Sequence, residues 1–219
     1  MMKIKNTNID LKKTITCGQI FRYKTIDNKY IIILKDRVVE IYEDDNYIYI
    51  DSSNMDNIEE VVNNYFDLNR DYINIQNKLI NIDPSLENII NTSKNLKIIQ
   101  QYPFETMISY IISTNNSVRN IQKAVNLISN KYGDKVLYKN KEYYLFPTIK
   151  ELKVATIEDL NNLKLGFRSK YIYEFINNIT EDKINFINNL NTEDALNYLM
   201  QYKGIGLKVA SCILMFSYS

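Results

Sequence analysis

The chain has 219 residues, of which 45% are hydrophobic and 24% charged, a composition typical of folded globular domains. Its net charge of +1 excludes a global basic field, so any nucleic-acid binding must depend on local placement of charge. The absence of histidine excludes histidine-based triads, and two cysteines make a disulfide framework or a cysteine zinc site unexpected. We predict no signal peptide and no membrane span, and therefore a soluble cytoplasmic protein.

The first fifty residues favour β-structure. Runs of β-branched and aromatic residues at 30–34, 38–42 and 47–50 are separated by polar turns. They predict an antiparallel sheet with one covered face. From residue 58 onward apolar residues recur at helical spacing instead. We place a boundary between two domains near residue 90, which gives domains 1–90 and 91–219.

The second domain is predicted to be helical. Apolar residues over 104–112 follow one face of a helix, with Pro103 in its first turn. Thr156 and Asp159 predict a capping box at the start of another helix. Thr192 is predicted to cap a later helix that leads into a glycine turn.

Near the end of the chain two apolar helical runs meet at Gly204-Ile205-Gly206. The glycines permit a tight turn, and the second helix then begins with unpaired N–H groups beside Lys208, which is an anion-binding arrangement. On these residues alone, the turn is either a DNA-binding helix-hairpin-helix or a simple helix connection. Lys208 is a solvated side chain, a phosphate contact or, once it has lost its proton, a nucleophile.

Four stretches, spread over almost the whole chain, identify the family that the sequence resembles. They are Cys17-Gly-Gln-Ile-Phe-Arg-Tyr23, Ser113-Thr-Asn-Asn116, Gly166-Phe-Arg-Ser-Lys-Tyr171 and Gly204-Ile-Gly-Leu-Lys-Val-Ala-Ser-Cys212. In this order they resemble the 8-oxoguanine DNA glycosylase/lyase family of the helix-hairpin-helix superfamily. The resemblance implies an α+β fold: an N-terminal antiparallel, TBP-like β-sheet domain, followed by an all-helical helix-hairpin-helix glycosylase domain.

The resemblance also implies base-excision repair of double-stranded DNA that contains 8-oxoguanine. Lys208 resembles the catalytic lysine that displaces the damaged base, forms a Schiff base with the sugar and supports strand cleavage by β-elimination. Gly18 resembles the glycine whose carbonyl accepts the N7–H of the oxidised base. Cys212 resembles the residue stacked on the flipped base, although taken alone it is better interpreted as a small core residue.

Further positions resemble residues that contact the DNA around the flipped nucleotide. Asn115 matches the asparagine that fills the gap in the duplex, and Phe167 and Arg168 match the wedge and probe at the partner base. The alternative to these roles is a helix C-terminal cap for Asn115, a core aromatic for Phe167 and a solvated charge for Arg168. The backbone amides expected to hold a phosphate are those of Gly204, Gly206 and Val209.

No cofactor is expected to be required, but the resemblance implies a structural monovalent cation in the hairpin. Its ligands would be the backbone carbonyls of Met200, Tyr202 and Ile205. The protein is expected to be a monomer associated with the bacterial nucleoid.

Two departures from the family pattern modify these expectations. The family continues beyond its lysine to a Pro-Val-Asp segment that carries a catalytic aspartate, whereas these residues end at Ser219. A C-terminally truncated domain with impaired base excision is therefore expected. Asn120 occupies the position of an arginine that vertebrate members use to require cytosine, so a weaker requirement for cytosine is expected.

The sequence leaves three alternative functions open. A non-catalytic fragment could bind damaged DNA without cutting it. An endonuclease III-like enzyme shares the hairpin and the lysine but lacks a leading β domain. An alkylbase glycosylase shares the architecture but uses no nucleophilic lysine, so Lys208 disfavours it.

Overall fold

The computed structural model describes residues 1–6 and 8–219. An N-terminal antiparallel sheet is followed by a predominantly helical region, which confirms the predicted α+β class. The strands are β1 (Met2–Lys5), β2 (Tyr23–Ile26), β3 (Lys29–Ile33), β4 (Val38–Glu43), β5 (Tyr47–Ser52), β6 (Lys135–Tyr138) and β7 (Lys141–Tyr144).

Five strands form one antiparallel sheet in the order β1-β5-β4-β3-β2. Strands β3, β4 and β5 confirm the three predicted runs. Helix α1 (Leu11–Thr16) interrupts the region for which the sequence predicts β-structure throughout. Asp10 caps this helix by accepting a hydrogen bond from the Lys13 N–H at 2.8 Å. Gly18 follows two residues after the end of α1.

The sheet is covered on both faces near β3, whereas the sequence predicts one covered face. Ile48 and Ile50 point into the hydrophobic core of the N-terminal half. On the other face, Ile31 packs with Tyr138 and Tyr143 of the β6–β7 hairpin. This hairpin interrupts the half of the chain that the sequence predicts to be all helical.

The remaining helices begin after the sheet, and two short 3-10 turns, Pro84–Leu86 and Ile187–Asn189, lie among them. The helices are α2 (Ile58–Tyr65), α3 (Tyr72–Ile82), α4 (Glu87–Thr92), α5 (Pro103–Ser113), α6 (Val118–Tyr132), α7 (Ile149–Leu152), α8 (Ile157–Asn162), α9 (Arg168–Asn178), α10 (Glu181–Phe186), α11 (Thr192–Met200) and α12 (Leu207–Ser217).

Side-chain caps explain several helix starts. The capping box of Thr156 and Asp159 at the start of α8 is confirmed, with hydrogen bonds in both directions. The predicted cap of α11 is wrong by one residue. Asn191 accepts a hydrogen bond from the Asp194 N–H at 2.9 Å, and Thr192 becomes the first helical residue. Asparagine is at least as good an N-cap as threonine.

The helical core surrounds α5, which contacts α6, α9 and α12. Met107, Ile108 and Ile111 on α5 are completely buried. Phe21, from the N-terminal half, is buried in this same core, so a side chain of the N-terminal half packs among the helices of the C-terminal half. The boundary near residue 90 stays a prediction. Across residues 1–6 and 8–219, no helix combines the length and the apolar character needed to cross a bilayer.

Candidate active site

A cleft of about 870 Å³ lies between the loop after α1 and the start of α12. The end of α5 and the start of α6 complete its walls. Phe167 and Arg168 do not line it. The predicted site residues that do line it are Gly18, Asn115, Gly204, Gly206, Lys208, Val209 and Cys212. The fold therefore brings together residues that are almost two hundred positions apart in the sequence.

Lys208 is the only charged side chain among the described residues that line the cleft. It lies in the first turn of α12, which contains no acidic residue. Its ammonium group forms no hydrogen bond or ion pair with any residue of 1–6 and 8–219. Lys203, in the same hairpin, differs because it pairs with Glu174 at 3.0 Å. An amine with no protein partner is available to a ligand in the cleft.

The start of α12 offers backbone donors beside Lys208. The N–H groups of Gly204, Gly206 and Val209 donate to no acceptor in the described part of the chain. Unpaired N–H groups and the positive end of the helix dipole favour an anion at this position. The geometry fits the phosphate-binding role predicted for these three amides.

The hairpin turn depends on glycine at one position in particular. Gly204 has a φ of 88°, and a Cβ there would lie 2.8 Å from Cδ2 of Tyr171. Gly206 has a φ of −92° and open space around it, so its conformation does not demand glycine. The turn packs so closely on α9 that no residue larger than glycine fits at position 204 without a shift of Tyr171.

Gly18 presents its backbone to the cleft. Its φ of 98° lies in the region that glycine adopts without strain. Within the described residues, no donor reaches its carbonyl. Phe21 and Arg22 of the same motif are only 5% and 3% exposed, so they anchor the loop, and the Phe21 ring also forms part of the cleft wall. A free carbonyl on an anchored loop can accept a hydrogen bond from a base.

Cys212 lies one helical turn after Lys208 and is half-buried in the cleft wall. Burial raises the pKa of its thiol above the ordinary value, an effect that the positive charge of Lys208 partly offsets. A neutral thiol is a small apolar surface suited to stacking. Cys212 also packs against the helical core, so it is both a small core residue and part of the cleft wall, and its stacking on the base stays a prediction.

Asn115 and Arg168 are joined although they are far apart in the sequence. Asn115 follows the end of α5 with a φ of 50°, the left-handed conformation common just after a helix. The Arg168 guanidinium donates to its carbonyl at 2.8 Å and, through Nε at 3.0 Å, to the carbonyl of Thr114. Burial lowers the pKa of Arg168. This arginine is therefore not a solvated charge, and it holds the loop that presents Asn115. Its predicted contact with the partner base stays a prediction.

Phe167 is 51% exposed, so it is not a core aromatic. Its ring packs edge-on against Tyr171 at 5.8 Å and lies 4.5 Å from the Arg168 guanidinium carbon. Tyr171 also contacts Gly204, which connects the exposed ring to the hairpin turn. An exposed aromatic on a supported turn has the shape expected of a wedge.

The hairpin fits the predicted monovalent cation. In the described part of the chain, nothing donates to the carbonyls of Met200 and Ile205. The Tyr202 carbonyl accepts one hydrogen bond, from the Ile205 N–H at 3.1 Å, and retains a second lone pair. Among these residues no cluster of three histidine, cysteine or acidic side chains could hold a metal.

Tyr110 and Phe216 also line the cleft, although the sequence motifs do not predict them. Their rings stack with centroids 5.8 Å apart. Phe216 follows Lys208 and Cys212 at successive steps of four residues, which places all three on one face of a helix. That spacing is visible in the sequence and could have identified Phe216.

Comparison with known proteins identifies the family of this chain. The model of the 8-oxoguanine DNA glycosylase N-terminal domain matches residues 1–107. The 8-oxoguanine glycosylase/lyase of Clostridium acetobutylicum, solved with double-stranded DNA containing cytosine opposite 8-oxoG, superposes with a TM-score of 0.91. The two are 34% identical over 100% of this chain and 79% of that one. The chain belongs to the 8-oxoguanine DNA glycosylase family.

Two further proteins extend the comparison. The N-glycosylase/DNA lyase of Saccharomyces cerevisiae is 32% identical over an alignment of 136 residues, and the match covers 56% of this chain and 36% of the yeast protein. The chain thus spans little more than a third of that relative. A 3-methyladenine DNA glycosylase of Archaeoglobus fulgidus, at 20% identity and a TM-score of 0.76, shares the fold alone. The family match across the β-sheet argues against the endonuclease III-like alternative, which has no leading β domain.

Proposed function

We propose that this chain removes 8-oxoguanine from double-stranded DNA and cleaves the strand at the resulting abasic site, using Lys208 as the nucleophile. The observation that supports this most strongly is an unpaired lysine, the only charged side chain of the described cleft wall, opposite the free carbonyl of Gly18. The cleft combines this lysine with a free backbone carbonyl at Gly18 and free backbone N–H groups in the hairpin. The carbonyl suits a base with an N–H donor, and the N–H groups suit a phosphate.

The chemistry begins when the Lys208 ammonium gives up a proton, which leaves its nitrogen with a lone pair. Its lone pair attacks C1′ of the deoxyribose, the glycosidic bond breaks, and the base departs with the bonding electrons and takes up a proton. Opening of the sugar ring then gives a Schiff base between Nζ and C1′. Loss of a proton from C2′ expels the 3′ phosphate, which is β-elimination.

The base is read on the opposite wall. Oxidised guanine carries a hydrogen on N7 that guanine lacks, and the free carbonyl of Gly18 would accept a hydrogen bond from it. The half-buried thiol of Cys212 provides an apolar surface for the ring. Asn115, held by Arg168, lies at the edge of the cleft, where the gap in the duplex would be.

The hairpin holds the strand. The N–H groups of Gly204, Gly206 and Val209 bind a phosphate without reading sequence. The carbonyls of Met200, Tyr202 and Ile205 would hold a monovalent cation, which stiffens the turn and contributes positive charge near the phosphate. Since the proposed substrate is double-stranded DNA, the expected localisation is the bacterial nucleoid.

Borohydride trapping on an abasic-site duplex tests the proposal. The wild-type chain should form a covalent adduct, and Lys208→Gln should lose it. Lys203→Gln is the matched control, because Lys203 is an exposed lysine of the same hairpin that is paired with Glu174. The reduced base excision expected from the sequence stays a prediction and does not affect this assay, since an abasic site needs no excision.

The same assay distinguishes the alternative of a non-catalytic DNA-binding fragment. Binding of the abasic duplex without any trapped adduct would support that alternative and overturn the proposed chemistry. An equal loss of adduct in Lys203→Gln would also count against Lys208 as the specific nucleophile.

A further inference from the structure

The loop that carries Gly18 is held by the side chain of the next residue. Gln19 is 4% exposed. Its Nε2 donates to the carbonyls of Thr14 at 3.1 Å and Lys97 at 2.8 Å, and its Oε1 accepts from the Ile99 N–H at 2.9 Å. Buried hydrogen bonds are costly to break singly, because each leaves an unsatisfied partner. The loop is therefore fixed against residues 97–99.

Residues 97–101, which we call the connecting segment, join this loop to α12. The Gln101 side chain donates from Nε2 to the Gln19 carbonyl at 2.8 Å. The Gln101 N–H donates to the Phe216 carbonyl at 2.6 Å. One residue thus bridges the loop that presents Gly18 and the helix that carries Lys208.

Tyr110 forms a second link between the same partners. Its hydroxyl donates to the Gln19 carbonyl at 3.4 Å, and its ring stacks on Phe216. Burial raises the pKa of this hydroxyl, so it remains protonated and able to donate. Both links converge on one carbonyl, a single residue beyond Gly18, and both connect it to α12.

We propose that Gln101 is a positioning residue that sets the separation between the Gly18 carbonyl and the face of α12 that carries Lys208 and Cys212. The inference rests on the proposed function, since it concerns how that site distinguishes 8-oxoguanine from guanine. The two bases differ at this carbonyl by one N–H, and a hydrogen bond to it weakens steeply as distance and angle depart from their optimum. Gln101 does not line the cleft, so it acts on the base only through the loop.

The test measures discrimination, which a merely structural role would not change. The Kd for a duplex with 8-oxoguanine opposite cytosine is compared with the Kd for the undamaged duplex, in wild type and Gln101→Met. Methionine keeps the length of the side chain but removes the donor. We expect the preference for 8-oxoguanine to fall about fivefold, the loss of one net hydrogen bond. Affinity for undamaged duplex and trapping on an abasic duplex should not change.

Gln100→Met is the matched control. Gln100 is the neighbouring residue, and its side chain donates to the Ser219 hydroxyl instead of the Gly18 loop. Its preference for 8-oxoguanine should equal that of wild type. Gln101→Asn, whose amide is one methylene shorter, repeats the test if Gln101→Met does not fold.

The outcomes separate this inference from the proposed function. If wild type prefers 8-oxoguanine and Gln101→Met keeps that preference, the positioning role is wrong while the proposed function stands. The same holds if Gln100→Met loses the preference to an equal extent. If wild type shows neither preference nor trapping, the proposed function fails, and the positioning role fails with it.

Discussion

Replacement of Gly204 by alanine tests how the hairpin turn is built. The residue has a φ of 88°, and the new Cβ would lie 2.8 Å from an aromatic carbon of Tyr171. The left-handed conformation costs a residue with a Cβ about 1–2 kcal/mol. The contact with Tyr171 adds to this, because real Cβ atoms do not approach a ring carbon so closely.

The expected loss of unfolding free energy for Gly204→Ala is therefore about 2–3 kcal/mol. In a chain of this length that corresponds to a fall in Tm of about 4–12 °C. Thermal unfolding followed by circular dichroism measures it. Gly206→Ala is the matched control for stability, since that residue has a φ of −92° and an added Cβ would meet no atom within 4 Å. Its Tm should not fall, and a rise of up to about 4 °C is expected because alanine adopts this conformation without strain.

A double-mutant cycle separates the two causes. Tyr171→Ala removes the ring that the new Cβ would meet. If the contact contributes, Gly204→Ala should cost about 1 kcal/mol less in the Tyr171→Ala background than in wild type. Strict additivity would show that backbone conformation alone accounts for the cost. A Tm of Gly204→Ala equal to that of wild type would refute both parts of the reasoning.

Three other measurements test the site and its support. Arg168→Lys keeps the charge but lacks the planar guanidinium that bonds both loop carbonyls. The loop that carries Asn115 should therefore become less ordered, and the Kd for an abasic duplex at fixed ionic strength should rise about tenfold. An unchanged Kd would show that Arg168 does not support the site. The pKa of Asp159 is held at about 2 by Lys131 and by its cap, so its contribution to stability is present above its ordinary value of 3.8 and is lost as the pH falls toward 2. Acid unfolding should therefore be less steep over that window in Asp159→Asn, and identical curves would contradict the assignment. Burial raises the pKa of Cys212, so its alkylation by iodoacetamide, followed by peptide mass spectrometry, should be slow at neutral pH and accelerate above pH 9.0, the ordinary value; rapid neutral labelling would contradict its half-buried position.

Local patterns predict the elements that have strong local causes. The three longest runs of β-branched residues form β3, β4 and β5, and the capping box of Thr156 starts α8. The β6–β7 hairpin escapes prediction because its turn, Lys139-Asn140, has two positive φ values without the glycine that usually marks such a turn. Helix α1 escapes it because six residues are too few for a visible period.

The residues that line the cleft are predicted better than the contacts that hold them there. Gly18, Lys208 and Cys212 meet in one cleft, as the resemblance implies. The side chains that hold them there could not be inferred from spacing. Gln19 bonds to Ile99, eighty residues away, and Arg168 bonds to Asn115 across more than fifty. Such long-range pairs depend on the tertiary fold, which no local period records.

The identity of the trapped residue tests the central claim most directly. After borohydride reduction of the wild-type chain on an abasic duplex, the adduct is digested and the modified peptide is sequenced by mass spectrometry. The proposed chemistry predicts that the sugar remnant is attached to Nζ of Lys208. Attachment to another lysine or to the N-terminal amine of Met1, with Lys208 unmodified, would contradict it.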